Sequence, residues 1–251
     1  MGLAVRIIPA LLMRGPHLVK GKQFSGDRII GSVLQAVRIH NMRGVDELIL
    51  LDIGATPEGR GPDLKLIEAI TRDCFCPITI GGGVRSVQDV RDLLNAGADK
   101  VAICTAAWPG ELIEEISALV GCQAIVAAVD VKDDAVTLRC GSVRLAINTF
   151  EVNPVYTARK YARHGAGEIL LTSIDREGTM AGYDLDLIRA VSAAVDVPVI
   201  AHGGCGRYSD MVSAIRAGAN AVAVGALFAF TDATPRDAAR FLNIYGLEAR
   251  V

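Results

Sequence analysis

Short apolar runs alternate with segments of helical period along the whole chain. Runs of strand character fall at about 5–12, 46–53, 77–81, 99–104, 123–131, 167–173, 197–201 and 219–224. Apolar residues at three- and four-residue spacing mark helices at about 31–43, 63–72, 86–96, 110–119, 153–165, 184–195, 207–217 and 235–245. Strict alternation of this kind implies parallel strands joined by right-handed crossovers. Several of the runs are apolar throughout, as strands covered on both faces require. Ser86 and Asp63 (after Pro62) read as helix starts, and Gly44, Gly97, Gly165 and Gly218 as helix stops. The polar segment 132–148 reads as a small hairpin after the fifth strand.

The pattern also repeats itself. Pro77-Ile78-Thr79-Ile80-Gly81-Gly82-Gly83 returns as Pro198-Val199-Ile200-Ala201-His202-Gly203-Gly204, an offset of 121. The same offset carries Asp89 to Asp210, Ala96-Gly97-Ala98 to Ala217-Gly218-Ala219, Val101 to Val222 and Glu47 to Glu168. One unit of strand, glycine turn, helix and strand therefore occurs twice, which marks a duplicated half-domain and not a solenoid of short repeats. Eight strand–helix units with a two-fold repeat favour an α/β fold of the closed (β/α)8 barrel type, one domain over 1–251. An open doubly wound sheet would carry a dinucleotide fingerprint after its first strand, and the first strand here ends Leu11-Leu12-Met13-Arg14-Gly15.

Composition narrows the function. The chain is 51% hydrophobic and 22% charged, with a net charge of −2 and no basic stripe, so nucleic acid is disfavoured. No apolar stretch approaches the ~18 residues of a membrane span. Met1 to Arg6 lacks signal-peptide anatomy. Among the cysteines, Cys74 and Cys76 make a lone C-x-C, and the others show no metal-ligand spacing, so the expectation is free, buried or half-buried thiols and a cytoplasmic location. Nothing calls for a metal or a cofactor.

Barrel ligands bind where strands hand over to loops. Gly82 and Gly83, with Thr105 after strand 4, and Gly203 and Gly204, with Gly225 and Ala226 after strand 8, give two matched glycine turns there. Glycine lets the backbone approach an anion and present its N–H groups. Two such turns suggest a ligand carrying two phosphates; the plainer reading is that they make tight turns. Asp130 ends strand 5, as a general acid or base or as a loop cap. Asp52 and Asp175 end strands 2 and 6 and can orient polar substrate groups. His202 either lines the site or makes a structural hydrogen bond. At the opposite end Arg6, Glu47, Lys100 and Glu168 stand at the starts of strands 1, 2, 4 and 6. Two cations and two anions can close a neutral ring across the barrel floor, as a structural plug or as a gate.

With these residues in place, the chain closely resembles the cyclase subunit of imidazole glycerol phosphate synthase, of histidine biosynthesis. The likeness is carried by Arg6-Ile7-Ile8-Pro9, Val19-Lys20-Gly21, Asp46 to Asp52, Gly81 to Gly83, Gly97 to Val101, and Gly165 to Thr179. It implies a (β/α)8 barrel with a glutaminase subunit on its N-terminal face and ammonia passing through the barrel to the opposite mouth. It implies that Arg6, Glu47, Lys100 and Glu168 form the ammonia gate, that Asp130 is one of two catalytic aspartates, and that Lys20 joins the ligand-binding set.

The mouth departs from that family. The second catalytic aspartate should follow Ile-Pro-x-Leu on strand 1, and Ile8-Pro9-Ala10-Leu11 is followed by Leu12. Leu12 can neither accept nor donate a proton, and general acid–base help is typically worth ~10²–10⁴-fold. Cys104, His202, Gly225 and Glu177 replace an asparagine, two small hydroxyl residues and an aspartate. Cys74-Phe75-Cys76-Pro77 and Asp175 to Tyr183 resemble a divergent branch of the family associated with amidation of surface-polysaccharide sugars. For that branch the resemblance implies an ammonia-conducting barrel working with a glutaminase and an ATP-dependent sugar amidotransferase. Two alternatives stay open: a cyclase in which Asp52, Asp175 or Glu177 replaces the lost acid, and a scaffold that only activates a glutaminase.

Overall fold

The structure, a computed structural model, describes residues 4–138, 143–144 and 153–250. The first strand, β1 (Arg6–Arg14), turns back through β2 (His17–Lys22) and β3 (Ser25–Ser32) before α1 (Val33–Met42) begins. Then follow β4 (Leu48–Asp52), α2 (Leu64–Arg72), β5 (Ile78–Gly81), α3 (Val87–Asn95), β6 (Lys100–Ile103), α4 (Glu111–Val120) and β7 (Ile125–Lys132). After the hairpin strands β8 (Ala135–Leu138) and β9 (Val143–Arg144) come α5 (Pro154–Arg163), β10 (Glu168–Ser173), α6 (Leu185–Ser192), β11 (Val199–His202), α7 (Tyr208–Arg216), β12 (Ala221–Val224), α8 (Ala226–Phe230) and α9 (Pro235–Ile244). Eight parallel strands close in the order β1-β4-β5-β6-β7-β10-β11-β12, with β12 pairing back onto β1. This is the (β/α)8 barrel that the alternation implies.

The β2–β3 hairpin has no counterpart in the sequence expectation. Its two-residue turn is Gln23-Phe24, with φ of 53° and 57°. Hairpin turns of this hand normally announce themselves with Asn-Gly or Asp-Gly, and Gln-Phe carries no such signal. The predicted hairpin over 132–148 is present in part. β8 pairs antiparallel with β7 across Asp133-Asp134, and β9 pairs with β8; 139–142 and 145–148 lie outside the described residues.

Strand alternation sorts the side chains into two cores. Those pointing outward pack against the helices, with Ile7, Leu48, Leu50, Val101, Val129 and Ile169 fully or nearly buried. Those pointing inward fill the barrel: Ile8, Ala10, Ile49, Ala102, Val126, Ala128, Leu170, Ile200, Ala221 and Ala223. Half of this lumen is alanine, so the barrel is apolar and narrow-walled.

The duplication holds in the contacts. Asp63 and Asp184 cap α2 and α6, accepting from Leu66 N and Leu187 N at 3.2 and 3.0 Å. Asp89 accepts from Arg85 N and Ser86 N at 2.8 and 2.9 Å, and Asp210 accepts from Gly206 N and Arg207 N at 2.9 Å each. Ile78 N donates to Asp99, and Val199 N donates to Asn220, at 2.8 and 2.9 Å. The glycine turns match as well. A Cβ on Gly82 would meet Asp52 O at 2.3 Å, and one on Gly203 would meet Ser173 O at 2.5 Å. Each turn is thus packed backbone to backbone against the last residue of the preceding strand.

Candidate functional site

At the strand starts, the four charged residues close into one ring. Arg6 Nη1 donates to Glu47 at 2.8 Å and to Glu168 at 3.0 Å, and Lys100 Nζ donates to the same two carboxylates at 3.0 and 3.1 Å. Each cation bridges both anions and each anion both cations. Thr79 Oγ1 adds a bond to Glu47 at 3.3 Å. Glu47 is the most enclosed, with 4% of its side chain exposed against 26% for Arg6, so the ring is open to solvent from below and apolar above.

Helix C-termini lead into strand starts, so they encircle this floor. Several exposed apolar side chains gather on them. Ile39 and Met42 end α1, Leu119 ends α4, Ile244 and Tyr245 end α9, and Phe75 lies in the loop into β5.

At the other end, Asp130 is buried between Cys104 and Thr172. Cys104 Sγ donates to Asp130 Oδ2 at 3.3 Å. Burial pushes the Asp130 pKa up to about 6, against the hydrogen bonds from Cys104 and Thr172 that act the other way. Thr172 Oγ1 lies 3.2 Å from His202 Nδ1. Which of the two donates in this bond follows from the tautomer of His202. Burial, then the charge of Lys20, lowers the His202 pKa to about 3, so the ring is neutral at pH 7. Leu12, 7% exposed, ends the inward row of β1 and contributes no proton donor or acceptor.

Lys20 reaches across from β2 and pairs with Glu177, both almost fully buried. A Cβ on Gly225 would stand 3.2 Å from Lys20 Nζ. The recess between this pair, His202, Gly203, Gly204 and Ala226 has a volume of about 10 Å³, close to the room one water needs. The second glycine turn therefore faces a cation already neutralised by Glu177.

In the first half, Asp52 points out of the barrel, opposite in parity to Glu47, Ile49 and Leu51. It holds Arg60 through two bonds of 2.7 and 3.1 Å and accepts from Gly54 N and Ala55 N. A Cβ on Gly83 would meet Arg60 O at 2.8 Å, so Asp52 and Arg60 shape the wall of this turn. Thr105 opens a single 3-10 turn after β6. Asp175 lies in the turn beyond β10, its carboxylate accepting from Asp133 N at 2.8 Å.

Sequence reasoning missed three partners: Thr172, Arg60 and the Lys20–Glu177 pairing. Thr172 was within reach, since Glu168 faces inward and a residue four further along a strand faces the same way. The described cysteines are free, and Cys122, expected at least half-buried, is exposed because it sits in the one-turn segment before β7. Cys140 lies outside the described residues. Among the described residues no helix is long and apolar enough to cross a membrane.

The raised pKa of Asp130 has a defined consequence. Between the unfolded value near 3.8 and the folded value near 6, the native state holds the proton longer, so this group's contribution to stability declines as pH rises through that window. Asp130→Asn is expected to be the more stable protein above pH 6, by roughly 2 to 3 kcal/mol, with the difference fading towards pH 4. Urea unfolding of both proteins across pH 4–8 checks it; a constant difference would show that ionisation of Asp130 is not the cause.

A model of the family described as histidine biosynthesis protein matches residues 6–234.

Proposed function

This chain belongs to the histidine biosynthesis protein family, and on that premise we propose that it is an ammonia-conducting barrel, the partner of a glutaminase in a glutamine-dependent amidation system. The observation that carries this reading is the contrast between its two ends. The floor keeps a complete ring of Arg6, Glu47, Lys100 and Glu168, whereas the mouth sets Leu12 where cyclisation needs a second acid. An apolar lumen lined half by alanine suits a small neutral molecule such as ammonia. The apolar side chains around the floor suit a protein partner seated over the ring.

The acceptor we propose is a surface-polysaccharide sugar, converted to an acetamidino derivative by a separate ATP-dependent amidotransferase. In this reading the barrel works in the cytoplasm, delivers ammonia and has no cofactor or metal of its own. The buried Lys20–Glu177 pair supports a mouth turned away from the phosphorylated cyclase substrate, because phosphate would have to displace Glu177 from Lys20.

One observation favours the family's cyclase chemistry as a second reading. Asp130, with its pKa near 6, is placed and tuned for proton transfer. Incubating the barrel with its cognate glutaminase, glutamine and the histidine-pathway substrate separates the two. Glutamine hydrolysis without imidazole glycerol phosphate is the expected result, and brisk formation of that product would overturn the proposal. Isotope-labelled glutamine distinguishes a conduit from a scaffold that only activates the glutaminase. Only a conduit gives glutamine-derived nitrogen an advantage over bulk ammonia at the acceptor.

A further inference from the structure

The loop into β5 carries two thiols. Cys74 and Cys76 hold their sulfur atoms 3.8 Å apart, and Cys74 Sγ also lies 3.3 Å from the Cys76 carbonyl oxygen. The duplication supplies an internal control, because the offset of 121 places Val195 and Val197 at the twin positions. All four side chains pack, partly buried, against the outer core. Packing here is therefore met by valine, which has no reactive atom, and the first half sets a thiol at both positions. The loop is also held in place. Asn41 donates to Asp73 O and accepts from Phe75 N at 3.2 Å, and Arg38 binds Asp73 at 2.7 Å.

We propose that Cys74 and Cys76 form a redox-active dithiol that closes to a disulfide by exchange with a small-molecule disulfide of the glutathione type. The Cys74 thiolate attacks one sulfur of that disulfide and releases one thiolate, leaving a mixed disulfide. The Cys76 thiolate then attacks the Cys74 sulfur and releases the second. The protein gives up two thiol protons and two electrons, and the small disulfide becomes two thiols. On closure the sulfurs move from 3.8 Å apart to ~2.05 Å. The hydrogen bond from the Cys76 thiol lowers the Cys74 pKa to about 7 and raises that of Cys76, so Cys74 is the attacking sulfur near neutral pH. Cys205, which is buried, suits no such role: burial pushes its thiol up to about 12. Phe75 stands between the two thiols at the rim of the floor, 87% exposed, and closure would reset its position. The exchange chemistry stands whether or not a glutaminase docks there.

The test treats the intact chain with oxidised glutathione, quenches in acid, blocks the remaining thiols after denaturation and maps disulfides by peptide mass. The expected product is a Cys74–Cys76 bond free of glutathione, with two thiols lost together. Cys76→Val is expected to stop at a mixed disulfide on Cys74, and Cys74→Val to react at this loop at least about tenfold more slowly. Valine at these positions copies the twin half, and the wild-type map decides the matter even if a variant folds poorly. Two unmodified thiols, or glutathione persisting on wild-type Cys74, would overturn the proposal.

Discussion

Replacing Glu47 by alanine is expected to destabilise the barrel by about 3 kcal/mol, among the largest effects of any single change on its floor. Glu47 accepts from Arg6, Lys100 and Thr79 at 2.8, 3.0 and 3.3 Å. Without it, two cations face Glu168 alone across a floor roofed by apolar side chains. Removing one member of an enclosed ion network costs more than the network is worth, because the remaining charges stay desolvated. Glu168→Ala should cost less, since its side chain is 13% exposed against 4% for Glu47 and water can compensate. Urea unfolding of the three proteins checks the order, and an equal or reversed cost would show that burial does not set it. If the ring also gates ammonia, both variants should leak: with the glutaminase present, glutamine nitrogen should lose its advantage over bulk ammonia.

Gly204→Ala should be costlier still at the mouth, about 4 kcal/mol. Two terms combine. The residue has φ of 104°, which L side chains rarely adopt. An added Cβ would also lie 2.2 Å from Gly182 O and 2.9 Å from Arg176 Cβ, and a backbone carbonyl cannot swing aside as a side chain can. Gly31→Ala is the matched control, because a Cβ there meets nothing within 4 Å and the backbone is not left-handed; it should fall within about 0.5 kcal/mol of wild type. Thermal or urea unfolding reads both. A small loss at Gly204 would mean that the two loops part easily, and that their close approach is not what requires glycine.

Gly82 and Gly203 show how much of this protein is legible in its sequence. Gly82 and Gly203 were found by their offset, and the offset was correct in three dimensions: it relates the carbonyls they approach, Asp52 and Ser173, as well as the glycines. The helix caps Asp63 and Ser86 are equally readable, because they act on backbone groups three residues away. The floor ring could be listed but not closed. Four charges at strand starts are compatible with pairs, with a ring or with isolated contacts, and only the circular strand order brings β1 and β10 within reach of both β4 and β6. Asp52 is the instructive case. Its place at a strand end suggested a group turned towards substrate, yet the alternation that sends Leu51 inward sends Asp52 out to Arg60.

What the sequence determined alone was therefore the local and the repeated: the period of each element, its caps and the two-fold duplication. These depend on neighbours a few residues apart or on comparing the chain with itself. The tertiary structure decided which distant groups neutralise one another. Lys20 and Glu177 lie 157 residues apart in sequence, and only the closed barrel brings them into one buried pair beside the second glycine turn. Asp130 owes its raised pKa to burial, which outweighs the hydrogen bonds from Cys104, just past β6, and Thr172, on β10. Charge and proton affinity follow from desolvation and distance, and both are set only when the barrel closes.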